Sequence, residues 1–331
     1  MRDRVLELMG IALVTLIFVP AAAQAPAKAP AAAPKQWQTP WGDPDLQGTW
    51  SNATTTPLQR PAKYAGREFL TAEERAAQDK ETSIGTDKRD ERGTPDDVNG
   101  AYNQVWWERG WSDGRTSLIY DPPDGRIPPL TPAAQSRQAE AKRLNSSNES
   151  FRGAGPYNGP EELELYTRCI IRAPLPRVPT GYDNNYQIVQ TPESVAILQE
   201  QMHETRIIPL DGRPHLDSNV RQWLGDSRGH WEGNTLVVET TNFSDQTSFE
   251  GSTKNMRLVE RWTRVAKDRI DYRFTVDDPA TWTRPWSGAI AWNKADALYE
   301  YACHEDNYGL YSILAGARAE EKAAEAAKKG K

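Results

Sequence analysis

"GDSRGHWEGNTLVVETTNF", Gly225 to Phe243, decides the fold. Gly233-Asn234 stands between "GHWE" and "TLVVETT". Gly followed by Asn is a two-residue hairpin signal, because such a turn needs positive φ. The stretch therefore reads as two antiparallel strands joined at "WEGN", with Trp231 packing across the pair. Strand-length runs rich in β-branched and aromatic residues lie on both sides. Upstream, "NYQIVQTPESVAILQEQMHETRIIPLDG" gives three runs broken at Thr-Pro-Glu and His-Glu. Downstream come "MRLVERWTRV", "RIDYRFTVDD", "PWSGAIAW" and "LYEYACHE". In the second of these Ile270, Tyr272, Phe274 and Val276 alternate strictly with Asp271, Arg273 and Thr275, the pattern of a half-buried antiparallel strand. Short connections make sequential neighbours pair. The predicted fold is mainly β: an antiparallel meander over 181–314 that closes into a lipocalin-like barrel or a strongly curved sheet, since closure removes exposed edges.

The preceding half, 41–180, is irregular with short helices. "PDLQGTW" starts a first strand, and Thr116 to Tyr120 is a short second one. Thr71 and Glu74 form a capping box that opens a charged helix. Thr131 followed by Pro132 is an N-cap with proline at the first helical position, opening a helix to about Leu144. Asp121 to Gly125 is a Pro/Gly turn. Residues 41–314 form a single β-rich domain, and 315–331 is an Ala/Glu/Lys tail expected to fray as a solvated helix.

Residues 1–23 read as a signal peptide: Arg2 and Arg4, an apolar run from Val5 to Val19, then Ala21 to Ala23 as a small-residue cleavage site. A membrane anchor is the competing reading, but Glu7 interrupts the run and the run falls short of the roughly 20 residues a bilayer needs. Residues 24–40 form an Ala/Pro linker. The expected location is periplasmic or secreted, with no stable membrane insertion after cleavage. A net charge of −6 over 331 residues argues against a nucleic-acid partner, which asks for a basic stripe. Cys169 and Cys303 are the two cysteines. In an oxidising compartment an even count invites a bridge, and two separate buried thiols are the alternative.

The 12 tryptophans, unusual in number, suit both cores and sites that stack on rings. "TWTRPW" places Trp282 and Trp286 around Arg284, either as core packing or as an aromatic wall for a ring-shaped ligand, with Trp107 and Trp111 as further contributors.

"GDSRGHWEGNTLVVETTNF", "VDDPATWTRPW" and "YEYACHEDNYGL" resemble a widespread family of secreted bacterial proteins of unknown function with the same "WEG-x-TLVVET" hairpin, "DDP" turn and late "Y-x-C-x-E" strand. The resemblance spans roughly Trp41 to Ala319 and implies no reaction. "GTW", Gly48 to Trp50, is similar to the opening motif of lipocalin-like barrels, an analogy of fold alone.

Strand phase selects the candidate chemistry. Met256, Leu258, Glu260 and Trp262 share one face, so Glu260 points to the apolar side. A buried carboxylate must be paired, bonded or protonated. Glu260 is thus either an arginine's structural partner or a general acid with raised pKa. His203 is the candidate general base, or a satisfied histidine at a strand end. Gln201 shares a face with Val195, Ile197, Gln199 and His203, while Ala196, Leu198, Glu200 and Met202 share the other; both faces are mixed, so one of the two is expected to line a cavity. His215, Arg213 and Arg221 form a cationic loop suited to a carboxylate or a sugar hydroxyl, and Asp226 and His230 flank the hairpin. Asp277-Asp278-Pro279 is a strand-ending turn. Four scattered His, with His304 beside Cys303 and no C-x-x-C, predict no metal site, and no cofactor motif is present. Two functions follow. One is a carrier for a small aromatic or glycosidic molecule. The other is a lyase, isomerase or hydrolase on such a molecule using Glu260 and His203. A structural envelope protein is the third reading.

Overall fold

The computed structural model describes residues 37–87, 108, 110–145, 157–172, 174–305 and 307–329. The signal peptide, most of the linker and Trp107 lie outside the described residues. Ten strands form one antiparallel sheet: β1 (Gly48–Ser51), β2 (Ile119–Asp121), β3 (Asn185–Gln190), β4 (Ser194–Gln199), β5 (Thr205–Pro209), β6 (Asp226–Glu232), β7 (Thr235–Thr241), β8 (Arg257–Ala266), β9 (Arg269–Asp277) and β10 (Trp286–Lys294). Their order is β5-β4-β3-β1-β10-β9-β8-β7-β6, with β2 also on β10. The fold is mainly β, and the sheet curls until its two end strands, β5 and β6, come against each other in a nearly closed barrel. Helices α1 (Ala72–Asp87) and α2 (Pro132–Asn145) precede the meander, and α3 (Tyr308–Lys329) follows it.

The caps form as expected. Thr71 N donates to Glu74 Oε2 at 2.9 Å and Glu74 N to Thr71 Oγ1 at 3.2 Å, while Ala134 N donates to Thr131 Oγ1 at 3.2 Å. The opening hairpin also forms. Glu232 pairs with Thr235, and Gly233 takes φ +59°, a left-handed value that a residue without Cβ adopts readily. Trp231 is partly buried against the core.

Alternation fixes the inner face. Ile270, Tyr272, Phe274 and Val276 of β9 are buried, as are Leu258, Glu260 and Trp262 of β8 and Trp286, Ile290 and Trp292 of β10. Register places Glu260 opposite Val238 and Phe274, and Trp262 opposite Leu236 and Tyr272. The barrel is filled with rings rather than hollow: Trp262 packs 4.6 Å from Trp292 and 4.3 Å from Tyr272, and Tyr186 packs 4.3 Å from Trp292.

Two expected elements differ. "LYEYACHE" makes no strand. β10 already has β9 on one side and β1 and β2 on the other, which leaves no edge to join. The C-terminal helix begins at Tyr308, ahead of the Ala/Glu/Lys tail. Cys169 and Cys303 form a disulfide with Cα atoms 5.7 Å apart. Among the described residues no helix is long and apolar enough to cross a membrane.

Candidate functional site

The barrel closes at the β5–β6 seam through side chains. At one end the backbone of β6 approaches closely at Gly229, where a Cβ would lie 2.8 Å from both Ile208 Cγ2 and Leu210 Cδ2. At the other end Arg206 of β5 spans the interior. Its Nε donates to Ser227 Oγ on β6 at 2.9 Å, and its Nη2 to Thr240 Oγ1 on β7 at 2.8 Å. Both Nη groups reach Glu260 on β8, Nη1 to Oε1 at 3.0 Å and Nη2 to Oε2 at 2.5 Å. Tyr272 on β9 donates its hydroxyl to Glu260 Oε1 at 3.0 Å. Burial, with the Glu260 charge beside it, holds the Tyr272 phenol well above its ordinary pKa, so it stays a donor. Glu260 is therefore the partner of an arginine, with both oxygens engaged.

A small cavity lies within this end of the barrel, lined by Leu175, Arg177, Tyr186, Ile197, Gln199, Glu204, Arg206, Leu224, Glu260, Trp262 and Trp292. It leaves about 20 Å³ of open space, room for about one water molecule. Arg177 Nη2 donates to Glu204 Oε2 at 2.6 Å. Burial still pushes the Glu204 carboxyl above its ordinary value, against the pull of Arg177. Among the described residues Gln199 Oε1, Glu204 Oε1 and the indole nitrogens of Trp262 and Trp292 are buried without a hydrogen-bond partner.

Outside the seam a cleft of about 680 Å³ opens, lined on one side by Glu204 to Ile207 and on the other by Arg221 to Ser227, with Ile170, Ile171 and Ser244. Trp223 and Ile207 expose apolar surface here. Glu204, Arg206 and Leu224 line both the cleft and the inner cavity and so form the wall between them.

The remaining candidates are dispersed. His203 is exposed and lines a separate pocket with Glu200 and Tyr299, away from Glu260. Gln201 is fully buried, with both amide atoms unpartnered among the described residues. Asp226 is buried at the start of β6 on the barrel's outer face. Its Oδ2 lies 2.8 Å from His215 Nδ1 and accepts from Leu216 N at 3.0 Å, and its Oδ1 accepts from Arg228 at 2.7 Å. His215 Nε2 stands 3.7 Å from Glu239 Oε1. Arg213 is exposed and pairs with Asp211. Arg221, at the cleft, donates to the carbonyls of Phe243 and Lys254 at 3.2 and 2.6 Å.

Trp282 and Trp286 are buried and pack edge-on at 5.6 Å, while Arg284 turns outward to Asp121 at 2.7 Å. Trp111 is exposed. Asp278 accepts from Thr253 N, Thr281 Oγ1 and Ala280 N, a turn held by its own carboxylate. His230 is exposed near Glu232, and His304 is exposed beside the disulfide.

One group of acids does converge. Oxygens of Glu108, Asp183 and Glu200 lie within 4.8 Å of one another. Desolvation, then the charges of Glu200 and Glu108, raise Asp183 from its ordinary 3.8 to about 6. Glu108 and Glu200 already accept hydrogen bonds from Asn184 N, Asn185 Nδ2 and Tyr299 N.

Sequence reasoning missed Arg206, Glu204 and Trp223. The phase of Ile208 carries Arg206 inward, but the doublet Ile207-Ile208 hides that phase. No protein-family model, no curated protein and no solved structure matches this chain.

Proposed function

We propose that the protein binds a small neutral molecule bearing hydroxyl groups on a ring, aromatic or glycosidic, in the cleft at the open end of the β5–β6 seam. The observation that carries this reading is the cleft of about 680 Å³, within the size range of small-molecule sites. Trp223, part-exposed on the cleft wall, supplies an aromatic side chain on which a ring could stack. The charged residues shared with or facing the inner cavity, Arg177 and Arg206 against Glu204 and Glu260, cancel in pairs, which favours an uncharged guest. Entry would be through the side seam, in contrast to the open mouth that the lipocalin analogy suggests.

The protein acts, on this reading, in the periplasm or outside the cell. The basic-then-apolar N-terminal run, the disulfide and the resemblance to secreted bacterial proteins support that location.

An enzyme using Glu260 and His203 is disfavoured, because the two line different cavities and Arg206 occupies the carboxylate. The His215–Asp226 contact favours a second reading, a hydrolase in which Asp226 orients His215 as a base. Calorimetry and tryptophan fluorescence with catechol and phenyl β-glucoside test the first reading. Saturable binding that Trp223→Ala weakens by about tenfold supports it. Absence of saturable binding by both probes overturns it. Turnover of phenyl β-glucoside that His215→Ala abolishes would install the second.

A further inference from the structure

We propose that the inner cavity is a hydroxyl subsite, in which one hydroxyl of the ligand seats among Gln199, Glu204, Trp262 and Trp292 after passing Leu224 from the cleft. The inference rests on the cleft being the ligand site and specifies what its deepest contact recognises.

Four buried polar atoms belong to residues that line the cavity and have no partner among the described residues: two acceptors, Gln199 Oε1 and Glu204 Oε1, and two donors, the indole N–H groups of Trp262 and Trp292. An unpartnered buried polar atom carries the desolvation penalty of that group, and a guest seated among the residues that carry these four would relieve part of it. A hydroxyl meets three of the four, since it gives its one proton to Gln199 or Glu204 and accepts from both indoles. A carboxylate has no proton to give Gln199 or Glu204, and an ammonium cannot accept from the indoles. The room, about that of one water molecule, admits a hydroxyl and excludes a ring. The ring must therefore remain in the cleft, where Trp223 stands.

The wall between the two spaces explains the route. Arg206 is held by Ser227, Thr240 and Glu260, and Glu204 by Arg177. Leu224 is partly buried and packs against the apolar core, and its side chain has no polar atom, so of these three wall residues it is the one that can swing without breaking an ion pair.

The test uses the full chain carrying isotope-labelled tryptophan, with Trp262→Phe, Trp292→Phe and Trp223→Phe assigning the three indole N–H signals. Before any probe is added, the Trp262 and Trp292 signals should show cross-peaks to water, because the space has room for about one water molecule and that water would serve the two unpartnered N–H groups. Catechol, a neutral ring with two hydroxyls, should shift all three signals and remove those cross-peaks. Leu224→Trp, which fills the passage, should leave the Trp223 shift, abolish the two inner ones and weaken catechol binding by about tenfold. If the Trp223 signal moves while Trp262 and Trp292 keep their positions, the cleft reading stands and the subsite is overturned. If the unliganded protein shows no water contact at either inner indole, the cavity is dry and the subsite is overturned whatever catechol does. If catechol moves none of the three signals, both readings fall.

Discussion

Arg206 and Glu260, separated by 54 positions in the chain, meet through two hydrogen bonds inside the barrel and tie the end strand β5 to β8 across it. The pair spans a sheet whose end strands, β5 and β6, are brought together by side chains. It belongs to a larger set, because Ser227, Thr240 and Tyr272 each give or take a bond at the same point.

Removing one partner leaves the other charge buried. Glu260→Gln should therefore lower stability by about 3–5 kcal/mol. Arg206→Met combined with Glu260→Leu should cost much less than the sum of the single changes, since no uncompensated charge remains. Denaturant unfolding of the four proteins in a double-mutant cycle measures this. Additive losses would mean that the two groups do not depend on each other.

The hairpin at Gly233 gives a second expectation. A β-branched residue resists φ +59°, so Gly233→Val should cost more than about 1 kcal/mol and lower the melting temperature by a few degrees. Gly233→Asn should be milder, because Asn tolerates the left-handed region. Thermal melts followed by circular dichroism compare the two.

Asp183 makes stability depend on pH. Its folded-state value of about 6 lies above its ordinary 3.8, so the folded protein holds a proton there that the unfolded chain has released. Stability from this group is present below about pH 4, is lost as pH rises towards about 6, and stays lost above. Asp183→Asn should thus match the parent near pH 4 and exceed it in melting temperature near pH 7. The left-handed backbone at this position, φ +53°, suits Asn. Equal differences at both pH values would remove the ionisation from the account.

Loss of the disulfide through Cys169→Ser and Cys303→Ser should lower stability by about 2–4 kcal/mol. The denaturant midpoint of the double variant measures it. In the unreduced parent, thiol titration should detect no free cysteine, because both are in the bridge.

Much of the fold was legible because a strand with one buried face writes a period of two into its sequence. Ile270 to Val276 and Leu258 to Trp262 alternate without interruption, so the inward turn of Glu260 could be read before its partner was known. Arg206 was not legible. In "TRIIP" two isoleucines stand side by side, one inward and one outward, and either phase fits. The place of β1 between β10 and β3 was also hidden, since strand phase says which side a residue faces and nothing about which distant strand lies beside it. The aromatic run "TWTRPW" misled in another way. Trp282 and Trp286 look the same in sequence whether they wall a site or fill a core, and here they are buried against each other. The cleft depends on the loop around Trp223, which has no period to read.

The disulfide encloses β3 to β10, since its sulfurs join positions 169 and 303. A tension applied to the two ends of the chain would therefore be carried across the sulfur bridge and would bypass those strands. β1 and β2, which lie before Cys169, are the parts of the sheet that such a pull reaches, and β1 is wedged between β10 and β3. The barrel would yield mechanically by extraction of that one short strand, and the seam with its buried arginine would remain slack until the bridge was reduced.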